Sequence, residues 1–207
     1  SKTMNLFFDR LGVMKKLLGI IILGLFLITP SQADDIRDFQ IEGISIGDSL
    51  LDYFSEKEIN NNKKYFYKNE KFQSITLPTD SSTYEKVDFT IKPKDKKYKI
   101  YSVRGSKNFN KLKDCKIVYN EAVKELSEMF KNSKKVDAGK RDYAVDPTGK
   151  SKIYNVYFWL ESGGFIEVTC FDLTKELAKQ QNWNINNLTI GIVSKEFSDF
   201  LLKEEYK

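Results

Sequence analysis

The chain has 207 residues, a formal net charge of +5 and no histidine. The missing imidazole removes the Ser-His-Asp and Cys-His nucleophile systems, the usual zinc and haem ligand sets, and the side chain best suited to proton transfer near neutral pH. The sequence therefore reads as a binding or structural protein before it reads as an enzyme, with no cofactor and no metal site expected.

The first 33 residues predict export. Lys15 and Lys16 follow Met14, Leu17 to Ile28 carries no polar side chain, Thr29 and Pro30 break the run, and Ser31-Gln32-Ala33 supplies small residues before a cut. That layout is a cleavable signal peptide. A membrane span would need about 20 apolar residues, so no span is expected once the signal is removed. The expected organisation is an upstream extension over residues 1–13, outside the native protein, a signal peptide over 14–33, and one globular domain over 34–207. Loss of residues 1–33 leaves 30 basic against 28 acidic side chains, a net of +2. A near-neutral surface gives no electrostatic case for nucleic acid. Only Arg37, Arg104 and Arg141 of those basic residues are arginine. No cysteine lies near the cut, so no lipid anchor is expected.

Taken in chain order, Phe39 to Ile41 is a short strand candidate and 43–47 a turn. Asp48 or Ser49 then caps a helix through about Ile59. Strands follow at 64–67, 72–77 and 86–91, the last with Val87, Phe89 and Ile91 on one side. Residues 78–84 form a polar loop. A turn at Pro93-Lys94-Asp95 leads into a returning strand over 97–103. Residues 111–131 give the clearest helix, with Leu112, Cys115, Tyr119, Ala122 and Leu126 at three- and four-residue steps. A strand over 142–145 precedes the turn at Asp146-Pro147-Thr148-Gly149. Residues 152–160 and 165–171 make a hairpin. Asp172 caps a short helix to about Gln181, 188–193 is a last strand, and Ser194 caps a C-terminal helix. The pattern predicts an α+β fold: a mainly antiparallel sheet of two hairpin-containing halves, with the long amphipathic helix packed on it.

Several motifs resemble chemistry. Gly43-Ile44-Ser45-Ile46-Gly47 spells the nucleophile-elbow pattern, but no histidine can activate Ser45. Ala144 to Ser151 loosely matches a phosphate loop, yet strand-like residues follow where a helix is needed. Both read as turns. Glu167, between Ile166 and Val168, is expected on a solvated outer face. The second hairpin is apolar on both sides. Tyr157, Trp159, Phe165 and Phe171 share one of them: either another helix covers it, making a central strand, or it is the candidate ligand-binding surface, since aromatic faces stack sugars and peptides. Cys115 on the helix stripe and Cys170 on the strand face with Ile166 and Val168 are aimed at one another. In an oxidising compartment they are expected to form a disulfide.

The stretch from Phe39 to Phe54 resembles the opening of a group of small exported proteins, without assigned activity, from marine alphaproteobacteria with streamlined, AT-rich genomes. Lys97 to Ser102, Asp146 to Ser151, Cys170-Phe171-Asp172 and Ser194 to Phe197 are similar too. The resemblance implies a Gram-negative periplasm and carries no catalytic residues over. A glycine-bearing turn leading into a helix and then an antiparallel sheet is also similar in outline to envelope-assembly modules of the BamE type. The expected function is non-catalytic binding of another envelope protein or a small ligand. The alternative is a small carboxylate- or lysine-dependent hydrolase acting on cell-wall or carbohydrate material.

Overall fold

The computed structural model describes residues 36–62, 64–77 and 83–205. The expected upstream extension and signal peptide lie outside them.

Among the described residues eight strands form one antiparallel sheet in the order β1-β2-β3-β4-β8-β7-β6-β5. They are β1 (Lys64–Phe66), β2 (Gln73–Leu77), β3 (Lys86–Ile91), β4 (Ser102–Phe109), β5 (Lys134–Asp142), β6 (Lys152–Trp159), β7 (Phe165–Asp172) and β8 (Asn186–Val193). Each half of the chain makes a four-stranded meander, and the halves join where β4 pairs with β8. The α+β expectation holds.

Alternation sets the faces. Val87 and Phe89 on β3, Val156 and Phe158 on β6, Val168 and Cys170 on β7, and Ile190 and Ile192 on β8 all lie in the main buried core. The long helix α2 (Leu112–Met129) covers this side with Cys115, Val118, Tyr119, Ala122 and Leu126. Their spacing is the stripe seen in the sequence. The sulfurs of Cys115 and Cys170 are 2.10 Å apart, disulfide distance, which joins the helix to the sheet.

Several local expectations change. The early helix splits in two. Ser49 caps a single 3-10 turn over Leu50–Asp52. Ser55 and Glu58 then form a capping box that starts α1 (Glu56–Asn61). Two serines six residues apart each satisfy their own set of free amides. The strand expected over 97–103 begins only at Ser102. Tyr98 has φ +49°, and the stretch before it turns away to the N-terminal loop, with Gly47 N–H donating to the Ile100 carbonyl at 2.9 Å. The Phe39–Ile41 strand reduces to one bridge between Ile41 and Ile44. The strand expected at 142–145 ends at Asp142 and runs back to Lys134. This β5 is a nearly fully exposed edge with a bulge between Asp137 and Gly139. Without an apolar face it leaves no period-2 signal.

Two short helices flank β8 in the chain. Thr174, not Asp172, caps α3 (Lys175–Gln181), because Asp172 is still paired in the sheet. Ser194 caps α4 (Lys195–Phe200) as expected, and a π-turn over Leu201–Glu205 continues it.

Candidate functional site

On the face opposite α2, β6 and β7 are apolar at both ends and polar between. Four cross-strand rows show this. The upper row is Ser102, Val193, Phe165 and Trp159. The next is Arg104, Gly191, Glu167 and Tyr157. Below it come Ser106, Thr189, Thr169 and Asn155, then Asn108, Asn187, Phe171 and Ile153. The upper row lies under α4, where Phe197 and Phe200 pack with Phe165, Val193, Phe72 and Tyr101. Phe171 and Ile153 in the lowest row lie under α3, with Leu173, Leu177 and Ala178. The two middle rows are the polar strip.

An ion pair crosses the strip. Arg104 on β4 reaches over β8 and donates to Glu167 Oε1 on β7, from Nε at 3.1 Å and from Nη2 at 2.5 Å. The residue beneath is Gly191, whose missing Cβ would stand 3.5 Å from the Arg104 chain. A glycine inside a strand often marks such a close approach. The Glu167 charge raises the Arg104 pKa above its ordinary value, burial opposes this, and Tyr67 and Asp88 add to the rise. The Arg104 side chain is 36% exposed and that of Glu167 13%. Glu167 is thus a half-buried ion partner, which corrects the solvated face expected for it. Asp88, directly opposite Arg104 on β3, accepts a hydrogen bond from the Thr76 hydroxyl.

Tyr157 sits where this strip meets the aromatic row. It is directly opposite Glu167. Its hydroxyl accepts hydrogen bonds from Asn155 Nδ2 at 2.7 Å and Arg141 Nη2 at 2.9 Å. The Tyr157 ring lies 6.4 Å from Trp159 and 5.7 Å from Phe165, and Trp159 lies 4.9 Å from Phe165. Three of the four expected aromatic residues therefore come together, and Tyr157 and Trp159 stay partly exposed. Phe171 does not join them. It packs in the other cluster, 5.1 Å from Trp183.

The strip and the row below it also hold orphaned polar atoms. Ser106 Oγ, Asn155 Oδ1 and Asn187 Oδ1 are buried without a hydrogen-bond partner among the described residues. All three side chains are on this face, and buried polar atoms are normally paired.

Sequence reading missed Arg104, Asn155 and the pairing of Glu167. One available signal was Arg104 itself, one of three arginines after the signal segment. The other was the alternation Phe165-Glu167-Thr169-Phe171, which places two polar side chains between two aromatic ones on a single face.

The other motifs are structural. Ser45 is buried, and its hydroxyl donates to the carbonyls of Arg37 at 2.8 Å and Phe39 at 3.3 Å. The 146–151 turn closes on the Asp146 carboxylate. Oδ1 accepts from the Thr148 amide at 2.9 Å and its hydroxyl at 2.7 Å, and Oδ2 accepts from the Ser151 amide at 2.8 Å. The Ser151 hydroxyl in turn accepts from the Thr174 amide at 2.9 Å, so the turn positions α3. Among the described residues no group of three or more His, Cys, Asp or Glu could hold a metal ion, and no helix is long and apolar enough to cross a membrane.

No protein-family model matches the chain, and no curated protein matches it. Among solved structures the chain is similar to the Saccharomyces cerevisiae Ran-binding protein Mog1p, at 13% identity and a TM-score of 0.30, over 71% of this chain and 85% of that one. It is likewise similar to a point mutant of Mog1, at 13% identity and a TM-score of 0.28, over 70% and 85%. Likeness at this level assigns this chain no function.

Proposed function

We propose that this chain is an exported, non-catalytic binding domain of the periplasm, and that its ligand surface is the sheet face opposite α2. One observation carries the reading: the partly exposed aromatic pair Tyr157 and Trp159 adjoins a polar strip crossed by the Arg104–Glu167 pair. Apolar shelf and convergent polar groups side by side are the composition of a ligand site. Export rests on the charged, apolar and small-residue segments between Met14 and Ala33.

The hydrolase alternative has less support. Asp88 and Glu167 face the same side, but their strands are three apart, a backbone separation of roughly 14 Å at the usual strand spacing. Glycosidase carboxyl pairs stand about 5–9 Å apart.

Cell fractionation should place the protein in the periplasm. A photo-crosslinkable residue at position 159 should give a specific adduct in intact envelopes, or a stabilising ligand should emerge from a thermal-shift screen. The same crosslinker at Val145, which is 57% exposed and away from the strip, is the control. A cytoplasmic location, or equal adducts at both positions together with a flat screen, overturns the reading.

A further inference from the structure

We infer that the ligand of this face is a neutral, hydroxyl-rich molecule, a sugar, with one ring face on Tyr157 and Trp159 and its hydroxyls on Arg104, Glu167 and Asn155. The inference rests on the binding reading above and narrows it to one chemical class.

Three independent features point the same way. The first is the shelf. Tyr157, Trp159 and Phe165 contact one another within 6.4 Å, and the first two keep part of their surface accessible. An aromatic face is electron-rich and apolar, suited to the C–H face of a pyranose ring.

The second is the charge balance. Arg104 and Glu167 already neutralise one another. The paired charges leave little net charge on the strip to hold an anion or a cation, and a charged ligand that displaced one partner would leave the other unmatched in a partly buried setting. A hydroxyl donates and accepts at once. It can accept from an Arg104 N–H and donate to Glu167 without separating them. Both Arg104 bonds go to Oε1, and Oε2 takes no hydrogen bond among the described residues.

The third is Asn155. It is 2% exposed and its Oδ1 has no hydrogen-bond partner among the described residues. Its Nδ2 donates to the Tyr157 hydroxyl. A buried amide oxygen aimed into the strip lacks a donor, and leaving such an atom unpaired costs about 1–3 kcal/mol. A ligand hydroxyl supplies that donor.

The test uses the chain's two tryptophans. Trp159 belongs to the shelf, and Trp183 packs in the separate cluster around Phe171. The ¹⁵N-labelled mature protein is titrated with maltose, lactose and chitobiose, each to tens of millimolar, and with citrate as an anionic comparison. A sugar should shift the Trp159 indole N–H and the Arg104 Nε–H signals and leave Trp183 in place. Glu167→Gln should weaken that sugar about tenfold, the loss of one charge-assisted hydrogen bond. Tyr157→Phe, which retains the ring, should weaken it by no more than about threefold. The wild-type titration decides the matter even if neither variant folds. Sugars that leave Trp159 unmoved, or move both indoles equally, overturn the inference, as does a response to citrate alone. If position 159 crosslinks to an envelope partner while all three sugars are silent, the sugar class falls and the binding reading survives. If both are silent, both fall.

Discussion

The ring of Tyr84 lies directly on the backbone of Gly105: a β-carbon at that glycine would stand 2.5 Å from the Tyr84 ring. Tyr84 is 5% exposed, so the ring cannot swing into solvent without opening the core. The Gly105→Ala substitution should cost about 1–3 kcal/mol, the usual range for overpacking. Combined with Tyr84→Ala, much of that loss should return, because the clash has one source. Urea unfolding of the two single variants and the double variant measures this. Additive losses would refute the contact.

The Arg104–Glu167 pair makes a second prediction. Because Arg104 is 36% exposed, solvent screens the pair, and its net contribution is modest. Truncating either partner alone should cost roughly 1–2 kcal/mol, mostly from leaving the other ion half-buried and unmatched. Replacing both with methionine should come close to wild type. A double-mutant cycle by chemical denaturation reads the coupling. Gly191→Val should mimic the single losses by lifting the Arg104 chain off β8.

A third prediction concerns the sulfurs. Cys115 and Cys170 are 55 residues apart in sequence. The chain-entropy estimate for closing a loop of that length is about 4 kcal/mol. Reduction, or Cys115→Ala, should lower the melting temperature clearly. Thiol titration of the denatured, unreduced mature protein should find no free thiol, and two free thiols would exclude the bond.

The pairing of these cysteines was legible from sequence because both partners carry strong local periods. The helix stripe and the strand alternation each give a face, and only one packing brings the faces together. The Arg104–Glu167 contact was not legible. It depends on β8 inserting between β4 and β7, a register set over sixty residues by pairing that no local pattern encodes. Placing the strand at 97–103 also left Arg104 just past its end. β5 was invisible for a different reason: an exposed edge buries nothing, so selection for burial leaves no trace in it. The aromatic site was half legible. Alternation put Phe171 on the right face but could not separate positions six residues apart under two different helices.

Acid should expose the Asp146 turn. Hydrogen bonds from Ser151 and Thr148 hold this carboxyl well below the usual carboxylate range. A depressed folded-state pKa stabilises the fold above the unfolded value, near pH 4, and that contribution disappears as the pH falls further. Wild type should therefore exceed Asp146→Asn in stability by a constant margin between about pH 5 and 7. The margin should shrink below about pH 4. Urea midpoints across that range test it. A margin that widens in acid would show that Asp146 is not bonded this way.

The central position of β8 has a consequence for how the molecule is made. The last strand in sequence lies in the middle of the sheet, with β4 on one side and β7 on the other. A chain that emerges N-terminus first can complete the β1–β4 meander, but the inner edge of β4 then carries unpaired amides and carbonyls until residue 193 arrives. Such an edge is a template for the wrong strand, and long-range closure of this kind is slow. The two meanders are thus held apart until β8, Asn186–Val193, joins them. Any truncation within β8 should yield two half-sheets with sticky inner borders, an aggregating product rather than a shorter version of the same protein.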